Sequence, residues 1–302
     1  MTGILVAGSY NAGLTVYGPR LPSPGETVVC DSFDAGPGGK GANQAIGAKR
    51  LGADVTFVTK LGDDVFGREA RATLLAEGLP ESGLLPSQAP TGVAFILVDA
   101  AAENMIAIAP GANLDLKAAD VIALGAAVHQ AGLVLVQLEC EAALATGLAA
   151  WARASGRRAI LNPAPARDLT LAELGLFEII TPNESELHAL ARSVDLPGGA
   201  PADQATALVN AGVPNVIVTM GRHGALWVSA AGVRSFPAYP VHAVDTTGAG
   251  DAFNAGLAAA LAQGKPMDAA IDEGCRAGAF CVTRRGVIDG LGRPADLAAL
   301  SR

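Results

Sequence analysis

Two short segments of this 302-residue chain carry side chains that could move a proton beside an anion. The first is Asp245-Thr-Thr-Gly-Ala-Gly-Asp251, followed by a helical run over Ala252–Gln263. Gly248 and Gly250 let the backbone turn sharply and, with Ala249, bring bare N–H groups together where a helix starts. Such a terminus attracts a phosphate or a developing negative charge. Asp251 sits at the same spot, where a carboxylate is out of place unless it has work to do. A general base beside an anion hole would deprotonate a hydroxyl attacking a phosphoryl group. The residues alone equally allow a plainer role, with Asp251 as a helix-capping acid after a glycine turn.

The second segment is Gly36-Pro-Gly-Gly-Lys-Gly-Ala-Asn43. It is glycine-rich and carries a lysine, yet it is not a Walker A loop, because no Ser or Thr follows Lys40 and position 34 holds Asp. Its glycines admit a small polar ligand, with Lys40 and Asn43 as donors; a solvated turn before a helix is the alternative. Thr181-Pro-Asn183-Glu-Ser-Glu186 places Asn183 and Glu186 three apart at a strand end, suited to magnesium and phosphate through water or to an ordinary capped helix start. Thr219-Met-Gly221-Arg-His-Gly224 is a glycine loop after another strand, and Gly3 to Gly13 holds no GxGxxG dinucleotide fingerprint. Taken together, these segments point to an enzyme acting on a phosphate.

The elements that must position these residues follow from the hydrophobic pattern. Short apolar runs at Ile4–Ala7, Val55–Thr59, Leu133–Leu138, Glu178–Thr181 and Val216–Thr219 read as buried strands. Between them, Gly41–Leu51, Val65–Glu77, Glu141–Ser155, Glu184–Ala191 and Ala202–Ala211 read as helices. That alternation predicts an α/β fold with a mostly parallel sheet covered on both faces, and ligands beyond the carboxyl ends of its strands. Two stretches break the pattern: Leu14–Phe33, with three prolines, and Thr91–Ala109, which reads as a hairpin. They predict a small β-sheet lid, from segments of about 14–34 and 91–110, on a single domain spanning 1–302.

Composition sets the outer bounds. A hydrophobic fraction of 50% against 17% charged residues excludes a disordered chain. The net charge of −8 and an aromatic content of 4% argue against nucleic-acid or anionic-membrane partners. No run of about 18 uninterrupted apolar residues occurs, and Cys30, Cys140, Cys275 and Cys281 form no CxxC pair. A chain with reduced thiols in the cytoplasm is expected.

Gly8-Ser-Tyr-Asn11, Gly38-Gly-Lys-Gly-Ala-Asn43, Asn162-Pro-Ala-Pro165, Asn183-Glu-Ser-Glu186 and Asp245-Thr-Thr-Gly-Ala-Gly-Asp251 together resemble the ribokinase branch of the PfkB carbohydrate kinases. The resemblance runs in order over nearly the whole chain. It implies a Rossmann-like three-layer α/β/α core, a β-sheet lid that also forms a homodimer interface, and transfer of the ATP γ-phosphate to a hydroxyl of a small sugar. Asp251 would be the catalytic base, and the amides of Gly248, Ala249 and Gly250 the anion hole. Asn11, Gly39, Lys40, Asn43 and Glu139 would bind the sugar, with Ile108 on the lid side. Asn183 and Glu186 would organise Mg2+ and phosphate; Thr219, Gly221 and Gly224 would line the ATP pocket, with Asn254 close by. Asp245 and the Thr247 carbonyl, completed by carbonyls near Val282 and Arg285, resemble a K+ site.

The chain departs from that family in two places. Ribokinases carry Asn-Ala-Asp in the first loop, where the Asp accepts hydrogen bonds from sugar hydroxyls; this chain has Asn11-Ala12-Gly13. The second departure, Gly286-Val-Ile-Asp-Gly-Leu-Gly292, lacks a serine that the family often has near the cation. Ribose or a related pentose is the expected substrate. Deoxyribose, fructose, another hexose or a nucleoside stand beside it, and a silent sugar- or nucleotide-binding regulator is the reading from a different class.

Overall fold

Strand β1 (Gly3–Ala7) shows why its neighbours read as unbroken apolar runs: Ile4 and Val6 enter one core, Leu5 and Ala7 the other. A strand buried on both faces has no polar side to alternate with. The structure, a computed structural model, describes residues 3–101 and 103–301. Met1, Thr2, Ala102 and Arg302, which the predicted domain and lid segments include, lie outside the described residues.

The other strands are β2 (Asn11–Tyr17), β3 (Ser32–Gly38), β4 (Val55–Gly62), β5 (Leu84–Ser87), β6 (Val93–Val98), β7 (Asn104–Ala109), β8 (Ala131–Val136), β9 (Arg158–Leu161), β10 (Ile179–Ile180), β11 (Asn215–Thr219), β12 (Ala225–Ser229) and β13 (Gly232–Phe236). Nine of them form one sheet in the order β13-β12-β11-β10-β9-β8-β1-β4-β5. Pairing is parallel from β11 through to β5, while β12 and β13 return as an antiparallel hairpin at one edge. Helices Lys40–Arg50, Ala249–Ala262 and Met267–Cys281 pack on one face, and Ala142–Ala154, Glu184–Ser193 and Pro201–Asn210 on the other. This is the expected three-layer α/β/α arrangement.

The sequence pattern missed β5, β9 and the β12–β13 hairpin. β9 has only four residues, and β13 is mostly exposed, so neither yields a long apolar run. The helix after the glycine turn begins at Ala249, not Ala252, which puts Gly250 and Asp251 inside its first turn.

β2, β3, β6 and β7 form a separate four-stranded sheet in the order β3-β2-β6-β7. Its first half spreads beyond 14–34 at both ends, since β2 starts at Asn11 and β3 runs to Gly38. Side-chain alternation divides its residues. Gly13 shares a row with Gly36, Ala94 and Ile108, and Leu14 shares the next row, on the opposite face, with Ala35, Phe95 and Ala107.

The strand order also fixes where a site can form. From β1 the chain proceeds one way to β4 and β5, and the other way to β8, β9, β10 and β11. Such a reversal opens a crevice at the strands' carboxyl ends. Ser9 and Asn11 follow β1, Gln137 and Glu139 follow β8, Asn162 follows β9, Asn183 follows β10, and Thr219 ends β11.

Candidate active site

Gly39 is the residue before helix Lys40–Arg50, and its φ of 89° lies in the region that favours glycine. A Cβ there would come within 2.8 Å of the Asn11 backbone nitrogen. The helix start therefore lies directly against the loop after β1, and Glu139 closes the gap. Its Oε2 accepts from the Lys40 backbone N–H at 2.9 Å, from Ser9 Oγ at 2.6 Å and from Asn11 Nδ2 at 3.5 Å. Asn113 donates to Asn11 Oδ1 at 2.8 Å, which leaves the Asn11 amide fixed at both ends.

One turn along, Asn43 Nδ2 donates to Asp251 Oδ2 at 2.8 Å, and Gln44 Nε2 donates to Asp251 Oδ1 at 2.9 Å. Asp251 does not cap its own helix. Its carboxylate is turned into the molecule, buried at 6% exposure, and the plainer capping role is set aside. Burial pushes its pKa up, opposed by Lys40 and by the two amide donors. Burial acts to lower the Lys40 pKa, but Asp251, Glu139 and Glu186 outweigh it and raise it, so the ammonium stays charged. Asn43 Oδ1 is buried and has no partner among the described residues. It is an acceptor left for a hydroxyl of a ligand.

Gly248, with φ 79°, precedes helix Ala249–Ala262, and a Cβ on it would meet Val287 Cγ1 at 2.6 Å. The amides of Gly250 and Asp251 lie in the first turn, where helix geometry supplies no acceptor from within the helix. Ala249 and Gly250 form one wall of a cleft of about 830 Å³. Asn183, Thr219, Gly221 and Gly224 line it from the ends of β10 and β11, and Phe253 and Cys275 give it an apolar side. The cleft is of the size that holds a nucleotide-scale ligand, and its phosphate end would meet the helix N-terminus.

Asn183 and Glu186 cap each other: Asn183 Oδ1 accepts from the Glu186 N–H at 2.8 Å, and Glu186 Oε2 from the Asn183 N–H at 2.9 Å. Glu186 is half-buried; burial raises its pKa, against the Asn183 N–H and Lys40, while Asp251 repels its charge. Asn254 lies behind the cleft, donating to the Gly250 carbonyl at 2.9 Å and accepting from Thr181 Oγ1 at 2.7 Å. Ile108 stays on β7, 49% exposed, in the Gly13 row of the small sheet.

Asp245 joins two loops. Its Oδ1 accepts from the Thr247 N–H and its Oδ2 from the Gly286 N–H, each at 2.9 Å. The Val282 carbonyl accepts from the Val244 and Asp245 N–H groups at 2.7 and 3.2 Å. Burial opposes the charge on Asp245, but the Gly286 and Thr247 amides, the Thr247 side chain and Arg285 outweigh it and hold its carboxyl below the usual range.

Sequence reasoning passed over Ser9, Gln44, Asn113 and Gln137. Ser9 lies inside a motif quoted above and Gln44 directly follows another, so adjacency could have flagged them. Asn113 and Gln137 come from stretches with no distinguishing spacing.

The profile of the pfkB family carbohydrate kinases matches residues 1–293. The chain belongs to the PfkB carbohydrate kinase family. It is 37% identical over 285 residues to the ribokinase of Haemophilus influenzae, covering 94% of this chain and 93% of the relative. To the deoxyribokinase of Salmonella typhi it is 36% identical over 293 residues, with the same two coverages. The ribokinase structure from Thermotoga maritima superposes with a TM-score of 0.92 at 32% identity, covering 99% of both chains. Arabidopsis thaliana ribokinase complexed with ribose and ATP gives 0.87 at 28% identity, covering 98% of this chain and 97% of that one. This PfkB kinase is thus a phosphotransferase with a sugar alcohol group as acceptor, on the expected fold. Among its described residues no helix is long and apolar enough to cross a membrane.

Proposed function

We propose that this PfkB kinase transfers the γ-phosphoryl group of ATP to a hydroxyl of ribose or a closely related pentose. The observation that carries the reading is the buried Asp251 carboxylate, held beside the unpartnered Asn43 Oδ1 and one residue from the Gly250 wall of the cleft. Similarity to ribokinases and to a ribokinase complexed with ribose and ATP supports the substrate pair. The matched span of 1–293 supports a single kinase unit over 1–302.

In this reading the sugar lies between Lys40, Asn43 and Glu139, with Asn11 and Gly39 behind it and the small sheet, Ile108 included, above it as a lid. Asp251 takes the proton of the attacking hydroxyl as its oxygen bonds to the γ-phosphorus, and the bond to the ADP oxygen breaks. The amides of Gly248 and Gly250, with that of Ala249 once it leaves the Thr246 carbonyl it reaches at 3.3 Å, receive the charge on the transferring group, so positioning and charge stabilisation carry most of the rate. Thr219, Gly221 and Gly224 hold the nucleotide, and Asn254 supports Gly250 from behind.

Asn183 Oδ1 and Glu186 Oε2 are engaged in their mutual cap. That leaves Glu186 Oε1 to reach Mg2+ through water, and the metal would neutralise phosphate charge. Asp245, ionised and beside the Val282 carbonyl, with the Thr247 and Arg285 carbonyls close to it in sequence, would offer K+ its oxygens, against the Arg285 guanidinium charge that also acts there. A cation there would hold the loop that carries the anion hole. Free thiols at Cys30, Cys140 and Cys281 fit the reducing cytoplasm.

The outer face of the lid supports a homodimer. Phe33, Phe95 and Met105 share that face and are 63%, 50% and 53% exposed. A second copy of the same sheet would bury them.

A coupled ADP-release assay over ribose, deoxyribose, fructose, other hexoses and nucleosides, with and without K+, tests the function. Highest kcat/KM on ribose or another pentose is the expected result. A nucleoside or hexose preferred over every pentose overturns the substrate, and no turnover on any acceptor overturns the reaction.

A further inference from the structure

Behind Asp251 runs a ring of buried polar groups that closes on the catalytic turn itself. Gln44 Nε2 reaches Asp251 Oδ1 at 2.9 Å and Asn162 Oδ1 at 3.0 Å. Asn162 Nδ2 donates to the Thr181 carbonyl at 3.2 Å, and Thr181 Oγ1 donates to Asn254 Oδ1 at 2.7 Å. Asn254 Nδ2 donates to the carbonyl of Gly250, the residue before Asp251, at 2.9 Å. Two helices and the ends of β9 and β10 thereby meet in one circuit that begins at the Asp251 carboxylate and ends at the carbonyl of the residue before it.

The direction of the circuit is dictated by chemistry. An ionised carboxylate only accepts hydrogen bonds, so Gln44 must turn its nitrogen to Asp251 and its oxygen away. That oxygen needs a donor, and Gln137 Nε2 supplies it at 2.5 Å. Gln137 Oε1 is then left buried without a partner among the described residues. Gln44, Gln137 and Asn162 are 0%, 2% and 5% exposed, so water does not compete for these bonds. A buried polar group left unpaired opposes folding, yet the arrangement leaves one in order to fix the Gln44 amide.

We propose that Gln44, oriented by Gln137 and Asn162, is a positioning residue that holds the Asp251 carboxylate at a fixed distance from the anion hole and keeps it ionised. The proposal rests on Asp251 as the base. The adjacent Asn43 holds the other carboxylate oxygen and faces the sugar; Gln44 faces the interior and touches no substrate. The charged and titratable groups that act on Asp251 are Lys40, Glu139, Glu186 and Cys281. Replacement of Gln44 or Gln137 leaves all four in place.

The test compares Gln44→Met, Gln137→Met and the double variant in the full chain. It measures kcat, sugar KM, equilibrium sugar binding, thermal stability and the pH profile of kcat between about pH 5 and 9. Gln44→Met is expected to lower kcat roughly tenfold to hundredfold, with sugar binding within about threefold of wild type. A lost donor favours the neutral carboxyl, so the acid limb of the profile moves to higher pH. Gln137→Met shifts the limb the same way by less, and the double variant matches Gln44→Met because both act through one amide.

A folded Gln44→Met enzyme with kcat within about twofold of wild type, or with kcat reduced on an unmoved acid limb, overturns the proposal. So does a double variant whose losses multiply. If Gln44→Met does not fold, Gln137→Met decides by the same limb shift. Asp251→Asn separates the two readings: retained turnover there defeats the base, whereas lost turnover beside an unaffected Gln44→Met defeats only the positioning role.

Discussion

Asn43 Nδ2 donates to Asp251 Oδ2 at 2.8 Å across 208 positions of sequence, and both side chains are buried. The helix that opens on Lys40 and the helix that opens on Ala249 are thus locked together at their first turns, where the proposed function brings sugar and phosphate together.

Asp251→Asn removes the proton acceptor and keeps the volume. The expected outcome is a kcat lower by roughly 10²–10⁴-fold with sugar binding close to wild type, read by steady-state kinetics and calorimetry. Burial raises the wild-type Asp251 pKa. A base works when ionised, so activity is present above the folded-state value and lost as pH falls through it. The acid limb of kcat should therefore lie above the ordinary carboxylate range near about 4. A limb at or below that range would contradict the buried geometry.

Gly13 lies two residues beyond Asn11 on β2, on the same face, and a Cβ there meets only the Gly36 carbonyl, at 3.3 Å. Gly13→Asp should therefore fold, with its carboxylate toward the sugar. A charged acceptor for a sugar hydroxyl contributes roughly 1.5–3 kcal/mol, so KM for ribose is expected to fall about tenfold or more. An unchanged or higher KM in the folded variant would show that ribose hydroxyls do not face this strand.

Asp245→Ala removes the side chain that ties Thr247 to Gly286. Activity should drop about tenfold, and the response to added K+ should flatten, because the loop leading to Gly248 loses its anchor. Titration of K+ against Na+ at constant ionic strength reads this directly. Full K+ stimulation in the variant would place the cation elsewhere.

Phe95→Asp puts a charge in the middle of the outer apolar face of the small sheet. Light scattering should show a dimer for the wild type and a monomer for the variant, with the melting temperature lowered by no more than a few degrees (~3 °C), as for an exposed substitution. A wild type that is already monomeric would remove the dimer reading.

Much of the core was legible in the residues because its strands are buried on both faces, and runs such as Ile4–Ala7 declare that by composition. β9 and β13 were not legible, since a four-residue strand and a largely exposed edge strand leave no such signature. The site divides in the same way. Gly39, Gly248 and Gly250 could be picked out by type and spacing, as could Lys40, Asn43 and Asp251. Gln44 could have been reached only through its adjacency to Asn43, and Gln137, a glutamine with no distinguishing spacing, could not.

The sequence by itself determined the chemistry on offer: a carboxylate beside a glycine turn, a lysine-bearing glycine loop, and capped helix starts at strand ends. Each is a local property, set by backbone conformations that only certain residues adopt. Only the tertiary structure decided how the chemistry is used. The direction of the Asp251 carboxylate, away from its own helix start and toward Asn43 and Gln44, depends on strands β1, β8 and β9 ending side by side. The acceptor left open on Asn43 and the amide circuit returning to Gly250 exist only because residues more than a hundred positions apart exclude water from the same small volume.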